Sequence, residues 1–388
     1  MSILATKVIE DNRLASYTEK STRYQVYDKD TYLKPERLMA SELGELYEET
    51  ADYLMETYTE LSGCMPEYFK KKNPQDKETP DALYNMRIKN MSCDACRYLL
   101  PVSVLTNLGM TANARVIEGA IIKLLTHPLE ELQEMGEKIK RAALEVTPTL
   151  VKYTEYNDYL GRTLPALEAL SQDKLKPGKS SSSQADVELV EHDKDAEDKL
   201  VAALLYRFSH KPYSEVKSKV RSLAQEEKEK VIDEALKRLG RFDRPLRELE
   251  HIYYTFDILV DYGAFRDIQR HRMATQTNQD ITVEHGYSVP EAMVDAGYKR
   301  RFIECMDRAK MAFEKISERF PKEAQYIVPL AYNKRVLFTW NLRELFHFIK
   351  LRSGKTAHIS YKRVAQKLYG CIKEKQPLLA RYIVCSYD

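Results

Sequence analysis

The stretch QYIVPLAYNKRVLFTWNLRELFHFIKLR, residues 325–352, has a counterpart earlier in the same chain. The counterpart is RYLLPVSVLTNLGMTANARVIEGAIIKLL, residues 97–125. In both stretches an apolar run with a proline leads through a threonine to Asn-x-Arg, and an apolar segment with helical spacing follows. Self-similarity of this kind indicates a duplicated structural unit. The sequence therefore predicts two tandem repeats.

The Asn-x-Arg motif places an amide next to a guanidinium at the expected start of a helix. The matching pairs are Asn113 with Arg115 and Asn341 with Arg343. An amide offers both donors and an acceptor, and a guanidinium offers a fork of donors. The pair therefore suits a ring with carbonyl and N–H groups, or a phosphate. A helix cap followed by a surface ion pair is the structural alternative.

Composition limits the class of protein. Of the 388 residues, 43% are apolar, 61 are Lys or Arg and 59 are Asp or Glu, which leaves a formal net charge of +2. The length predicts more than one domain, and the apolar share is sufficient for a packed core. Because the charge is nearly balanced and no basic stripe carries interleaved aromatic residues, a nucleic-acid-binding role is disfavoured.

The pattern of apolar residues predicts an α+β fold in which helices dominate. Residues 36–61 and 301–320 carry apolar side chains at helical spacing, whereas residues 250–260 are β-branched and aromatic, as in a strand. Residues 171–199 contain four consecutive serines and a Pro-Gly pair, which are typical of a flexible linker. We therefore expect one repeat over 1–170 and another over 200–388.

The sequence carries no feature that predicts a membrane or secreted protein. No stretch approaches the roughly 18 apolar residues of a membrane span, and the first residues lack the pattern of a signal peptide. The six cysteines are scattered except for Cys93 and Cys96, which form a CxxC. A redox pair or half of a zinc site is one interpretation, and two buried thiols on one helix face is the interpretation that we favour. We expect no metal site and a cytoplasmic location.

Residues 265–279, FRDIQRHRMATQTNQ, place two arginines around one histidine after an apolar segment. A solvated helix face and an anion-binding site are both compatible with this run. Together with EHIYYTF upstream and FTWNLRELFHFIKLR downstream, RHRMAT resembles the flavin-dependent thymidylate synthase family, whose signature is RHRxxSxNExSxRY. The resemblance covers nearly all of the second repeat. The triplet is therefore expected to belong to a flavin site.

The two repeats resemble complementary parts of that signature. The second repeat keeps Arg270, His271 and Arg272 but lacks the later Ser-x-Arg, since Asp280 and Thr282 stand at those positions. The first repeat has the later part, in RLASYTEKSTRY at residues 13–24, but lacks the strand region that precedes the triplet in the family. The resemblance thus implies two tandem copies of the family fold, of which the first lacks its N-terminal strand region.

The resemblance implies an enzyme that methylates dUMP to dTMP, with FAD as cofactor and with methylenetetrahydrofolate and NADPH as co-substrates. It implies a flavin site formed by His251, Thr255, Arg270, His271, Arg272, Asn341, Arg343 and His358, with Asn113 and Arg115 as their counterparts in the first repeat. It implies a nucleotide site formed by Glu19, Ser21, Arg23, Arg97 and Arg352. Arg272, Arg343 and Arg352 are the residues implied in catalysis.

Two further matches divide these roles between the repeats. The arginine that the family places before its conserved proline segment matches Arg97, whereas the second repeat has Gln325 there. The arginine at the end of the Asn-x-Arg helix matches Arg352, whereas the first repeat has Leu124. The resemblance therefore implies one active site to which both repeats contribute, and a homodimer that reproduces the family's tetramer.

Two alternatives remain open at this point. The altered run after the triplet would suit an enzyme that acts on another pyrimidine nucleotide. The loss of part of the signature from each repeat would also suit a degenerate relative that binds flavin or nucleotide without turnover.

Overall fold

The computed structural model describes residues 1–175, 186–355 and 357–387, and it divides into two compact units. Unit 1 contains the described residues of Met1–Ser182 together with Asp280–Asn333. Unit 2 contains those of Ser183–Gln279 together with Lys334–Asp388. The compact units therefore do not coincide with the two sequence repeats, because residues 280–333 of the second repeat belong to unit 1.

Helices dominate the described part of the chain, as the apolar pattern predicted. The strands are β1 Ala15–Glu19, β2 Leu108–Ala112, β3 Val187–His192, β4 Tyr253–Asp261, β5 Ala274–Asn278 and β6 Asn333–Asn341. The helices are α1 Ile3–Glu10, α2 Glu36–Met39, α3 Gly44–Lys72, α4 Asp81–Cys96, α5 Ala114–Leu125, α6 Glu130–Val146, α7 Asp158–Lys174, α8 Ala196–Ser209, α9 Tyr213–Arg221, α10 Gln225–Leu236, α11 Tyr262–Ile268, α12 Glu291–Asp295, α13 Lys299–Ser317, α14 Leu342–Arg352, α15 Ile359–Lys375 and α16 Pro377–Ala380.

The helix expected over 36–61 is interrupted, and the interruption has a steric cause. The segment forms α2 and then α3, which begins at Gly44. A Cβ on Gly44 would lie 2.6 Å from the carbonyl oxygen of Met39, so the turn between the two helices requires a glycine. The expectations of a helix over 301–320 and a strand over 250–260 are confirmed by α13 and β4.

Part of the segment interpreted as a linker has regular structure. Over 171–199, helix α7 continues to Lys174, β3 pairs with β4, and α8 begins at Ala196. The polar, charged composition of this segment does not prevent pairing, because an edge strand needs only one neighbour for its backbone groups. Residues 176–185, which include the serine run, lie outside the described residues.

Matching segments of the sequence repeat meet in unit 1. The amide of Val102 donates to the carbonyl of Val328 over 3.0 Å, and the amide of Leu330 donates to the carbonyl of Leu100 over 2.9 Å. The two donors, Val102 and Leu330, lie 228 positions apart, and so do the two acceptors, Leu100 and Val328. The two Asn-x-Arg motifs have the same spacing. The two bonds are thus related to each other by the sequence repeat.

The strand pairs next to the two motifs have the same register. In the antiparallel pair of β1 and β2, Ser16 lies opposite Thr111. In the antiparallel pair of β5 and β6, Thr275 lies opposite Thr339. Ser16 and Thr275 both stand at the position of the first serine in the signature RHRxxSxNExSxRY, three residues after Arg13 and Arg272, respectively. The alignment therefore corresponds to equivalent backbone pairing inside each unit.

The helices that precede these strands also begin in the same way. The Ser2 hydroxyl accepts a hydrogen bond from the Ala5 amide at the start of α1, over 3.0 Å. The Asp261 carboxylate accepts one from the Ala264 amide at the start of α11, over 2.7 Å. Both are N-caps, which satisfy an amide that the helix itself leaves without an acceptor.

The four-stranded sheet of unit 2 has the order β3-β4-β6-β5. Along β4 and β6, side chains alternate between buried and partly exposed, so the sheet has one core face. On that face the Phe338 and Trp340 rings stack with centroids 4.3 Å apart. Helices α11 and α15 pack against β4. The sheet thereby fixes the two strand ends, at Asp261 and Asn341, where α11 and α14 begin.

In the described residues, no helix combines the length and the apolar character needed to cross a bilayer.

Candidate functional site

The Arg-His-Arg triplet follows the end of α11 in unit 2, and its three side chains have different surroundings. His271 is buried, Arg272 is partly exposed, and Arg270 is exposed with its guanidinium 3.6 Å from Asp267. The triplet therefore is not a uniformly solvated face. Only its two arginines have an outlet toward solvent.

Both ring nitrogens of His271 are engaged by protein groups. The Nε of Arg352 lies 3.0 Å from His271 Nε2, and an oxygen of Glu344 lies 2.9 Å from Nδ1. A guanidinium can only donate, so Nε2 accepts and the ring proton resides on Nδ1, from which it is donated to Glu344. Burial lowers the pKa of His271, in agreement with a neutral ring. His271 therefore positions Glu344 and Arg352 and does not offer a nitrogen to a ligand.

Arg352 is fixed a second time by the backbone of α11. Its Nη2 donates to the Asp267 carbonyl over 2.6 Å, and its guanidinium lies 5.3 Å from the centre of the Tyr361 ring. The side chain is 13% exposed. A guanidinium held in this way has little rotational freedom, and such a group is suited to orient an anionic partner.

A cleft of about 290 Å³ lies in unit 2 at the start of α14. Asn341, Arg343, Glu344 and His347 from this helix region line it, together with Met273, Arg244, Pro245 and Glu250. Two of these residues, Asn341 and Arg343, were predicted from the sequence. Glu344 and His347 were not. Glu344 lies three positions after Asn341 and His347 lies four positions after Arg343, and residues at these spacings share one face of a helix.

Asn341 and Arg343 both have structural partners at the cleft. The Asn341 side-chain oxygen accepts from the Glu344 amide over 2.8 Å and caps α14, while its Nδ2 has only a long contact of 3.5 Å to the Met273 carbonyl. Arg343 donates to the Pro245 carbonyl over 2.8 Å and to Glu250 over 2.7 Å. The cap and ion pair of the structural alternative are therefore present, and they also hold an amide and a guanidinium at the cleft wall.

The other residues predicted for the flavin site in unit 2 have local roles. His251 is exposed at the end of the 3₁₀ turn Arg247–His251. The hydroxyl of Thr255 on β4 lies 2.9 Å from that of Thr339 on β6. His358 caps α15 by accepting from the Ser360 amide over 3.3 Å.

Three residues predicted for the nucleotide site come together in unit 1. Arg23 grips the Asp94 carboxylate with two bonds, from Nε over 2.7 Å and from Nη2 over 2.8 Å. The Arg23 amide donates to the Ser21 hydroxyl oxygen over 3.2 Å. Arg97 lies near the same carboxylate, with its Nε 3.9 Å from the Asp94 Oδ1 that also accepts from Arg23 Nε. Residues that are 74 positions apart in sequence (97 − 23) thus approach one carboxylate.

Arg97 is the most unusual group of this cluster. Its side chain is 2% exposed, and its Nε and Nη2 atoms are buried without a hydrogen-bond partner. Buried polar groups are nearly always hydrogen-bonded, and a charged group without a partner is more costly than a neutral one. This guanidinium therefore has the donors and the charge to hold an additional anion.

The remaining predicted residues of unit 1 are satisfied by the protein. The side chain of Glu19 is 2% exposed, forms an ion pair with Lys7 over 3.0 Å and accepts from the Thr6 hydroxyl. Asn113 caps α5 by accepting from the Val116 amide over 3.1 Å. Arg115 is 87% exposed and pairs with Glu118. Glu19 therefore orders its own segment.

The comparison with known proteins identifies the family. The model of the family described as "Thymidylate synthase complementing protein" matches residues 1–149 and 188–378. The chain belongs to this family. The two matched regions cover most of the two predicted repeats, 1–170 and 200–388.

Relatives within the family differ in how much of the chain they match. A UPF0159 protein of Chlamydia pneumoniae is 33% identical over 97% of this chain and 74% of its own length. A UPF0159 protein of Thermoplasma acidophilum is 28% identical over 99% and 82%, respectively. The flavin-dependent thymidylate synthase of Sulfurisphaera tokodaii is 29% identical over 35% of this chain and 56% of its own length. Among solved structures, the Helicobacter pylori flavin-dependent thymidylate synthase complexed with FAD and dUMP is 18% identical, with a TM-score of 0.38, over 52% of this chain and 100% of its own.

In this member of the thymidylate synthase complementing protein family, the position that matches Arg97 is occupied differently in the second repeat. Gln325 accepts from the Ile281 amide over 3.0 Å and donates to the Lys322 carbonyl over 3.2 Å. Its amide is thus bonded within the protein at both ends. Leu124, the counterpart of Arg352, is fully buried in the core of unit 1.

The CxxC of this family member consists of two buried thiols. Cys93 and Cys96 lie three positions apart in the last turn of α4. Burial raises the pKa of Cys93 and raises the pKa of Cys96 to about 12, so neither is a ready thiolate. No group of metal-ligand side chains occurs in the described residues.

Proposed function

We propose that this protein methylates dUMP to dTMP, with FAD as cofactor and with methylenetetrahydrofolate and NADPH as co-substrates. The observation that carries the proposal is the buried guanidinium of Arg97, two of whose nitrogens have no hydrogen-bond partner, beside the Arg23–Asp94 pair in a member of this family. Two arginines that converge from separate segments are suited to a phosphate monoester, because a phosphate accepts several charge-assisted hydrogen bonds at once. Ser21 adds a hydroxyl whose oxygen accepts from the backbone amide of Arg23.

The residues at the unit 2 cleft fit the polar edge of a flavin ring. The amide of Asn341 can reach a ring carbonyl, since its Nδ2 has only the long contact to Met273. Arg343 places positive charge at the cleft wall, and Arg272 follows in the adjacent segment. When bound, FAD would supply the hydride chemistry. The protein's part is to hold the ring and to provide cations near its polar edge, where reduced flavin carries negative charge.

We assign catalytic roles to Arg272, Arg343 and Arg352 as cations that face the reacting rings. Arg352 is positioned for this by His271, whose neutral Nε2 accepts its Nε–H, and by the Asp267 carbonyl. His271 is in this view a positioning residue. If His271 were protonated, its Nε2–H would point at the Nε–H of Arg352, and the hydrogen bond that holds Arg352 would be lost.

We further propose that the chain arose by tandem duplication and works as a homodimer. Its four repeats would then correspond to the four subunits of the family's tetramer. The support is the shared 228-residue spacing of backbone bonds, the equal strand registers and the two regions matched by the family model. Each repeat keeps different residues of the proposed site, since Arg97 aligns with Gln325 and Arg352 aligns with Leu124. Size-exclusion chromatography with light scattering measures the number of chains.

Absorbance spectroscopy of the purified protein tests the proposed activity. We expect flavin bands that shift when dUMP is added, followed by formation of dTMP in the presence of both co-substrates. Flavin bands that do not respond to dUMP but respond to another pyrimidine nucleotide would move the substrate assignment. A colourless protein that takes up no FAD would refute the enzyme and leave a nucleotide-binding relative.

A further inference from the structure

We propose that Asp94 occupies the place of the nucleotide phosphate, so that nucleotide binding displaces this carboxylate from Arg23 and Arg97. The inference rests on the nucleotide role proposed for Arg23 and Arg97. Arg23 holds both oxygens of Asp94 in a fork of 2.7 and 2.8 Å. A guanidinium binds a phosphate with the same paired N–H groups. Carboxylate and phosphate therefore compete for one set of donors.

The single carboxylate does not satisfy both arginines. Its nearer oxygen lies 3.9 Å from Arg97 Nε, beyond hydrogen-bond distance, and Arg97 Nε and Nη2 have no other acceptor. A phosphate monoester carries about −1.5 to −2 charges and three strong acceptor oxygens. It can bond to Arg97 and Arg23 together, whereas Asp94 reaches only one of them.

The phosphate and Asp94 are not expected to remain side by side. Two anions that share a site repel each other, and the repulsion is strong where solvent is largely excluded. Asp94 lies in the last turn of α4 and its side chain is 22% exposed, so rotation about its side-chain bonds can turn the carboxylate toward water without moving the helix. Asp94 would thus set the affinity for the phosphate and favour dianions over weaker anions.

Calorimetric titration of the full chain tests this role with Asp94→Asn. The titrants are inorganic phosphate, dUMP and deoxyuridine. Because the competing anion is removed while the size of the side chain is kept, we expect phosphate and dUMP to bind roughly tenfold more tightly, as one charge-assisted hydrogen bond is worth. Deoxyuridine, which has no phosphate, should bind as it does to the wild type. Glu155→Gln is the matched control. Glu155 forms a 2.9 Å ion pair with Lys140, and neither residue belongs to the cluster of Arg23, Asp94 and Arg97.

Weaker or unchanged binding of phosphate and dUMP by Asp94→Asn would overturn the proposal, because Asp94 would then position Arg23 for the ligand. Absence of phosphate binding in both proteins would overturn it too. If the variant does not fold, a crystal structure of the wild type with dUMP decides. An Asp94 turned away from Arg23 supports displacement, and a retained fork refutes it. Failure of the proposed enzyme activity can be distinguished from failure of this inference. In that case the protein would bind no flavin and form no dTMP, while Asp94→Asn would still bind phosphate more tightly than the wild type.

Discussion

Replacement of Arg97 by methionine should stabilise the protein and weaken its nucleotide site at the same time. The side chain is 2% exposed and leaves two N–H donors without partners, and an unsatisfied buried donor costs about 1–3 kcal/mol. Methionine fills similar volume without these donors. The change also removes the attraction across 3.9 Å to Asp94, but Asp94 keeps both hydrogen bonds from Arg23. We therefore expect the free energy of unfolding without ligand to rise by about 1–2 kcal/mol.

The same substitution should selectively impair binding of phosphorylated ligands. Arg97 would donate at least one hydrogen bond to the phosphate, and a hydrogen bond to a charged group contributes about 1.5–3 kcal/mol. The dissociation constant for dUMP should therefore rise by roughly ten- to a hundredfold. Deoxyuridine has no phosphate and should bind to variant and wild type alike.

Urea denaturation followed by circular dichroism measures the first effect, and calorimetric titration measures the second. Arg162→Met is the control, because Arg162 is 80% exposed in a helical ion pair and its loss should change stability by less than about 0.5 kcal/mol. A fall in the stability of Arg97→Met, combined with unchanged dUMP affinity, would refute the reasoning. Arg97 would then be a structural arginine whose partners lie within the protein.

Three further predictions concern other groups. Burial lowers the pKa of His127 to about 4, below the value of about 6.5 in an unfolded chain, so the unfolded state binds the proton first. The stability that this pKa difference provides is complete above pH of about 6.5 and is lost as the pH falls toward 4; urea midpoints should show this decline, and a similar decline in His127→Asn would contradict it. Asn113→Ala and Asn341→Ala should each lower the free energy of unfolding by about 1 kcal/mol through loss of a helix cap, and Asn341→Ala should also lower the flavin bound per chain. Equal flavin loss in both variants would instead extend the flavin site to the first repeat. A thiol reagent followed by mass spectrometry should modify exposed Cys64 in the native protein and leave buried Cys93 intact, and rapid reaction at Cys93 would argue against two inert thiols.

The sequence revealed local equivalences well because they depend on short patterns. The alignment of Ser16 with Thr275 corresponds to equal strand registers, and the two Asn-x-Arg motifs both begin helices with an asparagine cap. Residue type and spacing determine such features within a few positions. The arrangement of the repeats follows from backbone bonds between distant segments, which side-chain patterns do not report. For that reason the sequence does not predict that residues 280–333 lie in the compact unit that contains residues 1–175.

The surroundings of His271 illustrate the same limit at the site. A histidine between two arginines suggested a ligand-binding group, and the structure shows a buried ring between Glu344 and Arg352. Arg352 lies 81 positions away in sequence, so no local pattern predicts its bond to Nε2. Glu344 could have been found, because it shares a helix face with Asn341.

The difference between Arg97 and Gln325 gives a physical reason to separate a requirement of function from a requirement of folding. The two residues lie 228 positions apart, and their carbonyls accept equivalent bonds from the amides of Leu100 and Val328. Gln325 is bonded at both ends of its amide within the protein, so this backbone position does not need an arginine to fold. Arg97 at the matching position leaves buried donors unsatisfied, a local conflict of the kind that natural proteins tolerate at functional sites. A ligand that supplies an anion would remove the conflict, and the asymmetry between the repeats then predicts one phosphate-binding position in each chain and not two.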